Sequence, residues 1–204
     1  MNQKAIDHLL RVDKKLGRLI NELGPCTFCP KDHQSPFESL VEAVVYQQLS
    51  AKAAGTILGR FKSLYPRKRF PTPSAILATE VEKLRSVGLS RAKVASIQDL
   101  AAKTIDGVVP SSKAILKMAD GEIMERLITV RGVGPWSVEM LLIFKLGRAD
   151  ILPATDFGIR KAFALAFSKK NLPTAKELAL YGERWKPFRT TAAWYLWKSL
   201  GGPY

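Results

Sequence analysis

The chain contains few of the residues and patterns that mark several large protein classes. Only two of its 204 residues are cysteine and two are histidine, too few for the disulfide framework of a small secreted domain. No stretch approaches the roughly eighteen consecutive apolar residues of a membrane-spanning helix. The first residues, MNQKAIDHLLRVDKK, lack the apolar core of a signal peptide. These absences favour an intracellular location, which is cytoplasmic in a prokaryote and nuclear in a eukaryote.

The two cysteines lie close together in the segment CTFCPKDH, with a histidine behind them. Cys26, Cys29 and His33 supply half of a zinc site, but no second pair of this kind completes a tetrahedron. An iron–sulfur cluster needs four thiolates, so this segment cannot hold one. We therefore predict no cofactor and no catalytic metal, and the sequence leaves open whether these three residues have any role.

Acidic residues are also scarce. The 32 Lys and Arg residues outnumber the 18 Asp and Glu residues, which gives a net charge of +14 and a pI of about 9.9. Such an excess favours a polyanionic partner, because neutralising phosphates releases counterions. An anionic membrane surface is the competing partner. We predict double-stranded DNA as the partner, no membrane, no obligate protein partner and a monomer.

The alternating pattern of β-strands is missing as well, and helical patterns run through most of the chain. Ser35 with Glu38, and Thr174 with Glu177, have the spacing of helix capping boxes. Apolar residues after Pro36 recur at helical spacing. Further prolines separate the periodic segments, at positions 66, 71, 73, 110, 153, 173 and 187. The predicted fold class is all-α.

The most informative segment is Leu127–Phe163, which reads LITVRGVGPWSVEMLLIFKLGRADILPATDFGIRKAF. Gly132, Val133 and Gly134 form a hinge between two helices, and Pro135 suits the first position of the second helix. Amides at such a helix start can bind phosphate, and Arg131 stands beside them. The alternative is an ordinary corner between two core helices. The basic composition favours the phosphate site.

A weaker version of this hinge lies upstream. LRSVGLSRAK, at residues 84–93, resembles LITVRGVGPW with one residue fewer. Arg91 and Lys93 could reach phosphate from the start of the following helix. The alternative is that both side chains are simply solvated.

Asp156 follows the hinge by one helix and a short loop. Aspartate is a favoured helix N-cap, and most such aspartates only cap. A carboxylate near a helix start can stay ionised while partly desolvated. Such a group can stabilise positive charge on a sugar ring or orient a water molecule. We predict that Asp156 is catalytic.

In combination, several segments resemble the helix–hairpin–helix DNA glycosylase superfamily, and within it the DNA-3-methyladenine glycosylase II, or alkylpurine, branch. They are PFESLVEAVVYQQLSAKAA, GVGPWSVEMLLI, ILPATDFGIRKAF and ERWKPFRTTAAWYLW. The resemblance runs from about Pro36 to Trp197. It implies two helical subdomains with the active-site cleft between them, in the compact form without an N-terminal β-domain. We expect one subdomain at residues 30–110 and the other at 1–29 plus 111–204.

The resemblance also implies roles for individual residues. Asp156 matches the catalytic aspartate, and Leu49 matches the side chain that wedges into the duplex. Trp136 stands where bifunctional glycosylase/lyases carry a nucleophilic lysine, so no amine is available there for a Schiff base. The resemblance further implies that a monovalent cation, Na⁺ or K⁺, can bind carbonyls of the hinge. The predicted base-pocket residues are Trp136, Trp197, Gln48 and Met140. Met140 departs from the family pattern, since some relatives have an aromatic residue there, and the pocket shape and substrate range stay open for that reason. The predicted DNA contacts are Leu49, Arg131, Gly132, Val133 and Gly134, together with Arg91 and Lys93 of the upstream segment; the carbonyls are those of Ile128, Val130 and Val133.

Two of these assignments have a structural alternative. Trp194 and Trp197 are three residues apart on one helix, as core packing gives. We assign Trp194 to the core and Trp197 to the pocket.

The implied activity is that of a monofunctional DNA glycosylase in base excision repair. It flips an alkylated purine out of the duplex and hydrolyses its N-glycosidic bond. The lesion spectrum is left open among 3-methyladenine, 7-methylguanine, 1-methyladenine and ethenoadenine. Two other functions compete: a non-catalytic hairpin DNA-binding module, and a bifunctional glycosylase/lyase acting on oxidised bases.

Overall fold

The structure is a computed structural model that describes residues 3–30, 33–66 and 69–201. These residues form α-helices and no β-strand, which confirms the predicted class. In the described part of the chain, no helix is both long and apolar enough to cross a membrane. The helices are α1 Gln3–Val12, α2 Lys14–Leu23, α3 Pro36–Tyr46, α4 Ala51–Ser63, α5 Pro73–Leu77, α6 Val81–Ser86, α7 Arg91–Ile105, α8 Ser112–Ile115, α9 Asp120–Leu127, α10 Pro135–Met140, α11 Phe157–Ala166, α12 Ala175–Gly182 and α13 Arg189–Ser199.

The chain divides into two compact units. The first combines the two ends of the chain, Met1–Pro30 and Gly147–Tyr204, and its core forms where α13 packs against α2 and α11. Asp13 is buried there, and its carboxylate caps α2 through Lys15 N and Leu16 N. The same carboxylate accepts a hydrogen bond of 2.9 Å from Trp185 Nε1. This buried group therefore ties the N-terminal helices to the C-terminal half of the unit.

The second unit is Lys31–Leu146. Its long helix α7 packs against α3 and α5, and α3 also packs against α4 and α10. The buried faces are apolar, with Val41, Val44, Ile97 and Leu100 fully inaccessible to solvent. Helix α10 passes directly into a π-helical turn, Leu141–Lys145, where the second unit ends.

The domain boundary in the structure differs from the predicted boundary near residue 110. Residues 111–146, which include the hinge, belong to the unit that contains QQLS and not to the unit of Asp156. The physical reason is that α10 and the π-helical turn pack directly against α3. Linear sequence contains no signal for this packing, since the partners are about ninety residues apart, as in the pair Gln47 and Ser137.

One capping box is complete and the other is only half formed. Thr174 and Glu177 cap each other's backbone as predicted. Ser35 accepts from Glu38 N, but the Glu38 carboxylate pairs with Arg69 at 2.6 Å instead of returning to the helix start. Burial raises the pKa of Glu38, and the Arg69 guanidinium acts in the opposite direction.

Candidate functional site

The hinge lies between α9 and α10, as predicted. Helix α9 ends at Leu127, Gly134 is the N-cap of α10, and Pro135 occupies the first turn. Gly132 has φ +73°, a conformation that favours glycine. A Cβ on Gly132 would overlap the Ser96 side chain of α7. Besides allowing this backbone conformation, the glycine therefore lets the hinge pack closely on α7, which the sequence did not indicate.

The hinge amides have different surroundings. Arg131 N donates to Asp99 Oδ2 at 2.8 Å, and Val133 N donates to Val130 O at 3.0 Å. Among the residues that the structure describes, the amides of Gly132 and Gly134 have no acceptor. A Cβ built on Gly134 meets nothing within 4 Å. Gly132 is exposed and Gly134 is half-buried. A side chain at Gly134 would meet open space beside the start of α10, where an anion is stabilised by the helix dipole.

The loop Gln47–Ser50 connects α3 to α4; we call it the wedge loop, after the role that the resemblance implies for Leu49. Gln48 has φ +56°, which is uncommon for a residue with a side chain. Leu49 is 39% exposed, a large fraction for leucine. Ser50 caps α4 through Ala53 N. The loop therefore presents Gln48 and Leu49 outward, next to each other.

Two side chains hold the wedge loop, a role that the sequence did not predict for either of them. The Gln47 amide donates to Gly132 O at 2.8 Å and to Ser137 Oγ at 2.9 Å. The Lys93 ammonium donates to Val45 O at 2.8 Å and to Gln47 O at 2.9 Å.

These bonds change the interpretation of Lys93. We predicted a phosphate contact, but its ammonium satisfies carbonyls at the C-terminal end of α3, where helix carbonyls lack partners. Desolvation lowers the pKa of Lys93. Arg91, two residues earlier, and Arg131 in the hinge are exposed, as a phosphate contact requires.

Asp156 is the N-cap of α11 and half-buried in the first unit. Its Oδ1 accepts from Ile159 N at 2.8 Å and from Trp197 Nε1 at 3.0 Å. The two donors fix the position of the carboxylate at the positive end of the helix dipole. Asp156 thus caps the helix, and capping and catalysis are compatible at this position.

Trp197 has a contact that the sequence did not predict. It was assigned to the wall of a base pocket, but only 5% of its surface is exposed, and its indole N–H is bound to Asp156. The predicted pocket residue is therefore also a residue that orients the carboxylate. Trp194 is buried against Tyr195, with ring centroids 4.9 Å apart, as its assignment to the core requires.

Two further residues beside Asp156 were missed by sequence reasoning. Gly158 is so close that a Cβ would stand 3.1 Å from Asp156 Oδ1 and 3.5 Å from Trp197 Cδ1. Phe157 follows Asp156 and is 66% exposed, unusual for so large an apolar side chain. Both residues follow Asp156 directly in the sequence, but the closeness of Gly158 to the carboxylate and the exposure of Phe157 are known only from the structure.

The remaining predicted pocket residues lie in the second unit. Trp136 is half-buried in the first turn of α10, and Met140 is buried at its end. Gln48 is exposed in the wedge loop. The structure thus groups Trp136, Met140 and Gln48 in one unit, and Asp156 and Trp197 in the other.

The predicted cation site consists of uncharged carbonyl oxygens, a donor type that Na⁺ and K⁺ take. Val130 O already accepts from Val133 N, which uses one of its two lone pairs. The cation site stays a prediction. No group of three or more His, Cys, Asp or Glu side chains within the described ranges could hold a metal ion. Cys26 is half-buried and Cys29 exposed, and both are free thiols.

Comparisons with known proteins agree with the resemblance. Residues 41–187 match the family described as HhH-GPD superfamily base excision DNA repair protein. The chain is 39% identical over 199 residues to DNA-3-methyladenine glycosylase 1 of Schizosaccharomyces pombe, covering 96% of this chain and 86% of that protein. It is 36% identical over 197 residues to the alkylbase DNA glycosidase-like protein mag2 of the same yeast, covering 96% and 92%. A solved structure of S. pombe 3-methyladenine DNA glycosylase (Mag1) in complex with abasic DNA has TM-score 0.93, 38% identity and 98% coverage of each chain.

Proposed function

This chain belongs to the HhH-GPD superfamily of base excision DNA repair proteins, and we propose that it is a monofunctional DNA glycosylase that removes alkylated purines. The observation that carries the proposal is the Asp156 carboxylate, held by Trp197 Nε1 and Ile159 N at the start of α11. The relatives named DNA-3-methyladenine glycosylase support the substrate class. We propose 3-methyladenine and 7-methylguanine as typical substrates.

The chemistry follows from the charge of the substrate. Alkylation at N3 or N7 gives the purine a positive charge, so the base takes the electron pair of the N-glycosidic bond and leaves neutral. Strong general acid catalysis is then unnecessary. The sugar develops oxocarbenium character, which the fixed Asp156 carboxylate stabilises. Water forms the new bond to C1′ and its proton passes to solvent.

Trp136 supports a monofunctional mechanism. It occupies the hinge position at which the bifunctional members carry a lysine nucleophile, and an indole cannot form a Schiff base. Hydrolysis by water leaves the DNA strand intact. Its electron-rich ring also suits a cationic base through cation–π attraction.

We propose that the second unit engages the DNA. The amides near Gly134 and the exposed Arg131 and Arg91 bind phosphates, and Leu49 fills the space that the flipped nucleotide leaves. If a monovalent cation binds the carbonyls of Ile128, Val130 and Val133, it adds positive charge facing a phosphate. The basic composition makes the affinity fall steeply with salt.

The decisive experiment uses a methylated duplex and detects free bases by mass analysis. We expect the wild type to release alkylated purines. Asp156→Asn should lower the single-turnover rate by at least about a hundredfold, because the charge that stabilises the transition state is gone. Affinity for undamaged duplex should be retained. Asp7→Asn, which removes an exposed carboxylate of the same unit, serves as the matched control and should leave release unchanged.

The same assay separates the competing functions. A wild type that binds DNA but releases no base would identify a non-catalytic hairpin module. Base release that persists in Asp156→Asn would refute the role of this carboxylate. A covalent adduct trapped with borohydride would instead reveal a bifunctional glycosylase/lyase.

A further inference from the structure

The wedge loop is bonded to the hinge by a short chain of hydrogen bonds within the second unit. The links are Lys93 Nζ to Gln47 O, Gln47 Nε2 to Gly132 O, and Gln47 Nε2 to Ser137 Oγ, all at 2.8–2.9 Å. The side chain of Ser137 is buried in the first turn of α10. These bonds therefore connect α7 and the start of the wedge loop to Gly132 in the hinge and to Ser137 in α10.

The wedge loop needs such support. Its backbone turns through Gln48, whose left-handed conformation is unfavourable for a residue with a Cβ. An intercalating side chain must also resist the stacked bases that it separates. Leu49 is 39% exposed, so its own packing holds it only in part. Gln47, immediately before the left-handed residue, is the point at which the loop is fixed.

Lys93 adds a charged donor at the same point. Its ammonium donates to two carbonyls, Val45 O at the end of α3 and Gln47 O in the loop. Hydrogen bonds from a charged donor are the stronger kind. Burial lowers the pKa of this lysine, so placing the ammonium here has a desolvation cost.

We propose that Gln47 and Lys93 are positioning residues that hold the wedge loop in register with the hinge, so that wedging by Leu49 occurs where the hinge has bound the backbone. The proposal rests on the proposed function of the chain as a base-flipping glycosylase. Neither residue touches the reacting atoms. Their contribution is to flipping, and the bond-breaking step depends on Asp156.

The test compares one lesion in two contexts. Lys93→Met and Gln47→Leu keep the side-chain size but remove the donors. With 7-methylguanine paired to cytosine, each variant should lose about tenfold in single-turnover base release, as expected when about 1.4 kcal/mol of transition-state stabilisation is lost. With the lesion opposite an abasic site, where flipping costs less, the loss should shrink to less than about twofold.

Controls distinguish positioning from folding and from direct DNA contact. Lys103→Met removes a lysine further along α7 and should release base at the wild-type rate in both contexts. Lys93→Arg keeps a charged donor and should restore most of the activity on the paired lesion. Asp156→Asn should stay impaired in both contexts, because it affects bond breaking. The salt dependence of duplex affinity should be the same in Lys93→Met as in the wild type, since no phosphate contact is lost.

The results distinguish a positioning role from a phosphate contact and from failure of the proposed function. Equal losses in the two contexts, or no loss in either variant, would overturn the positioning role. A shallower salt dependence in Lys93→Met would show that Lys93 is a phosphate contact. If the wild type releases no base in either context, the proposed function itself fails.

Discussion

At the scale of single residues, the site depends on how one carboxylate is held. Asp156 is an N-cap, its Oδ1 also accepts from Trp197 Nε1, and Gly158 lies close to the same oxygen. The sequence pattern TDFG predicted the cap and suggested the catalytic role. It gave no sign of the tryptophan bond, because the partner is 41 residues away.

Gly158→Ala should separate activity from stability. The new methyl group would stand 3.1 Å from Asp156 Oδ1, so the carboxylate must shift by a few tenths of an ångström. We expect about a tenfold loss of base release, since small misplacements of catalytic groups are costly. Stability should stay within about 1 kcal/mol of the wild type, because alanine favours the helix.

Gly121→Ala is the matched control for this substitution. Gly121 lies in α9, and a Cβ there meets nothing within 4 Å. The Gly121→Ala variant should be more stable than the wild type by up to about 1 kcal/mol, and its activity should be unchanged. Thermal unfolding and single-turnover release are the two measurements. Full activity in Gly158→Ala would mean that the carboxylate tolerates displacement.

At the scale of elements, the hinge packs closely against α7. Arg131 N is bonded to Asp99, and Gly132 lies against Ser96. A side chain at Gly132 and a side chain at Gly134 would therefore have different effects. Gly132 is required by packing and by its positive φ, whereas Gly134 borders open space.

Alanine substitutions should reveal this difference. Gly132→Ala should lower the free energy of unfolding by about 3 kcal/mol, from the left-handed backbone and the overlap with Ser96. Gly134→Ala should cost less than about 1 kcal/mol and weaken duplex affinity instead. Chemical denaturation and a binding titration measure the two effects.

A double variant identifies the cause of the Gly132 effect. Because Ser96→Gly removes the overlapping side chain, the double variant should be less destabilised than the sum of the two single variants. Strict additivity would attribute the whole cost to the backbone conformation.

At the scale of the whole molecule, the ends of the chain meet in one unit. Trp185 reaches Asp13 across 172 positions, and Tyr195 OH donates to Gly24 O across 171. Burial raises the pKa of Tyr195 to about 12, and burial with the nearby Asp13 charge raises that of Tyr181 to about 12. The stability of the protein at alkaline pH therefore depends on these contacts between the N-terminal and C-terminal parts of the unit.

The direction of that dependence follows from proton linkage. Between about pH 10 and 12 the unfolded chain loses these tyrosine protons and the folded chain keeps them, so stability falls as the pH rises. The contribution is complete below about pH 10. Tyr195→Phe should be less stable at neutral pH and should lose less stability over this alkaline range.

Denaturation midpoints measured at several alkaline pH values, with tyrosinate absorbance as a second readout, test this expectation. Tyr65→Phe is the control: its hydroxyl is bonded to Thr79 in the second unit. An alkaline decline as steep in Tyr195→Phe as in the wild type would contradict the role of Tyr195.

The helical class, the hinge and the N-cap at Asp156 could be predicted from the sequence, because each is a local pattern of neighbouring residues. The family could be predicted because several such segments occur together between about Pro36 and Trp197. Three findings needed the folded structure: Lys93 supports the wedge loop, Trp197 orients Asp156, and the hinge shares a unit with QQLS. Each of these depends on which side chains pack together across long stretches of chain. Helical periodicity specifies a buried face, but it does not specify which other face covers it.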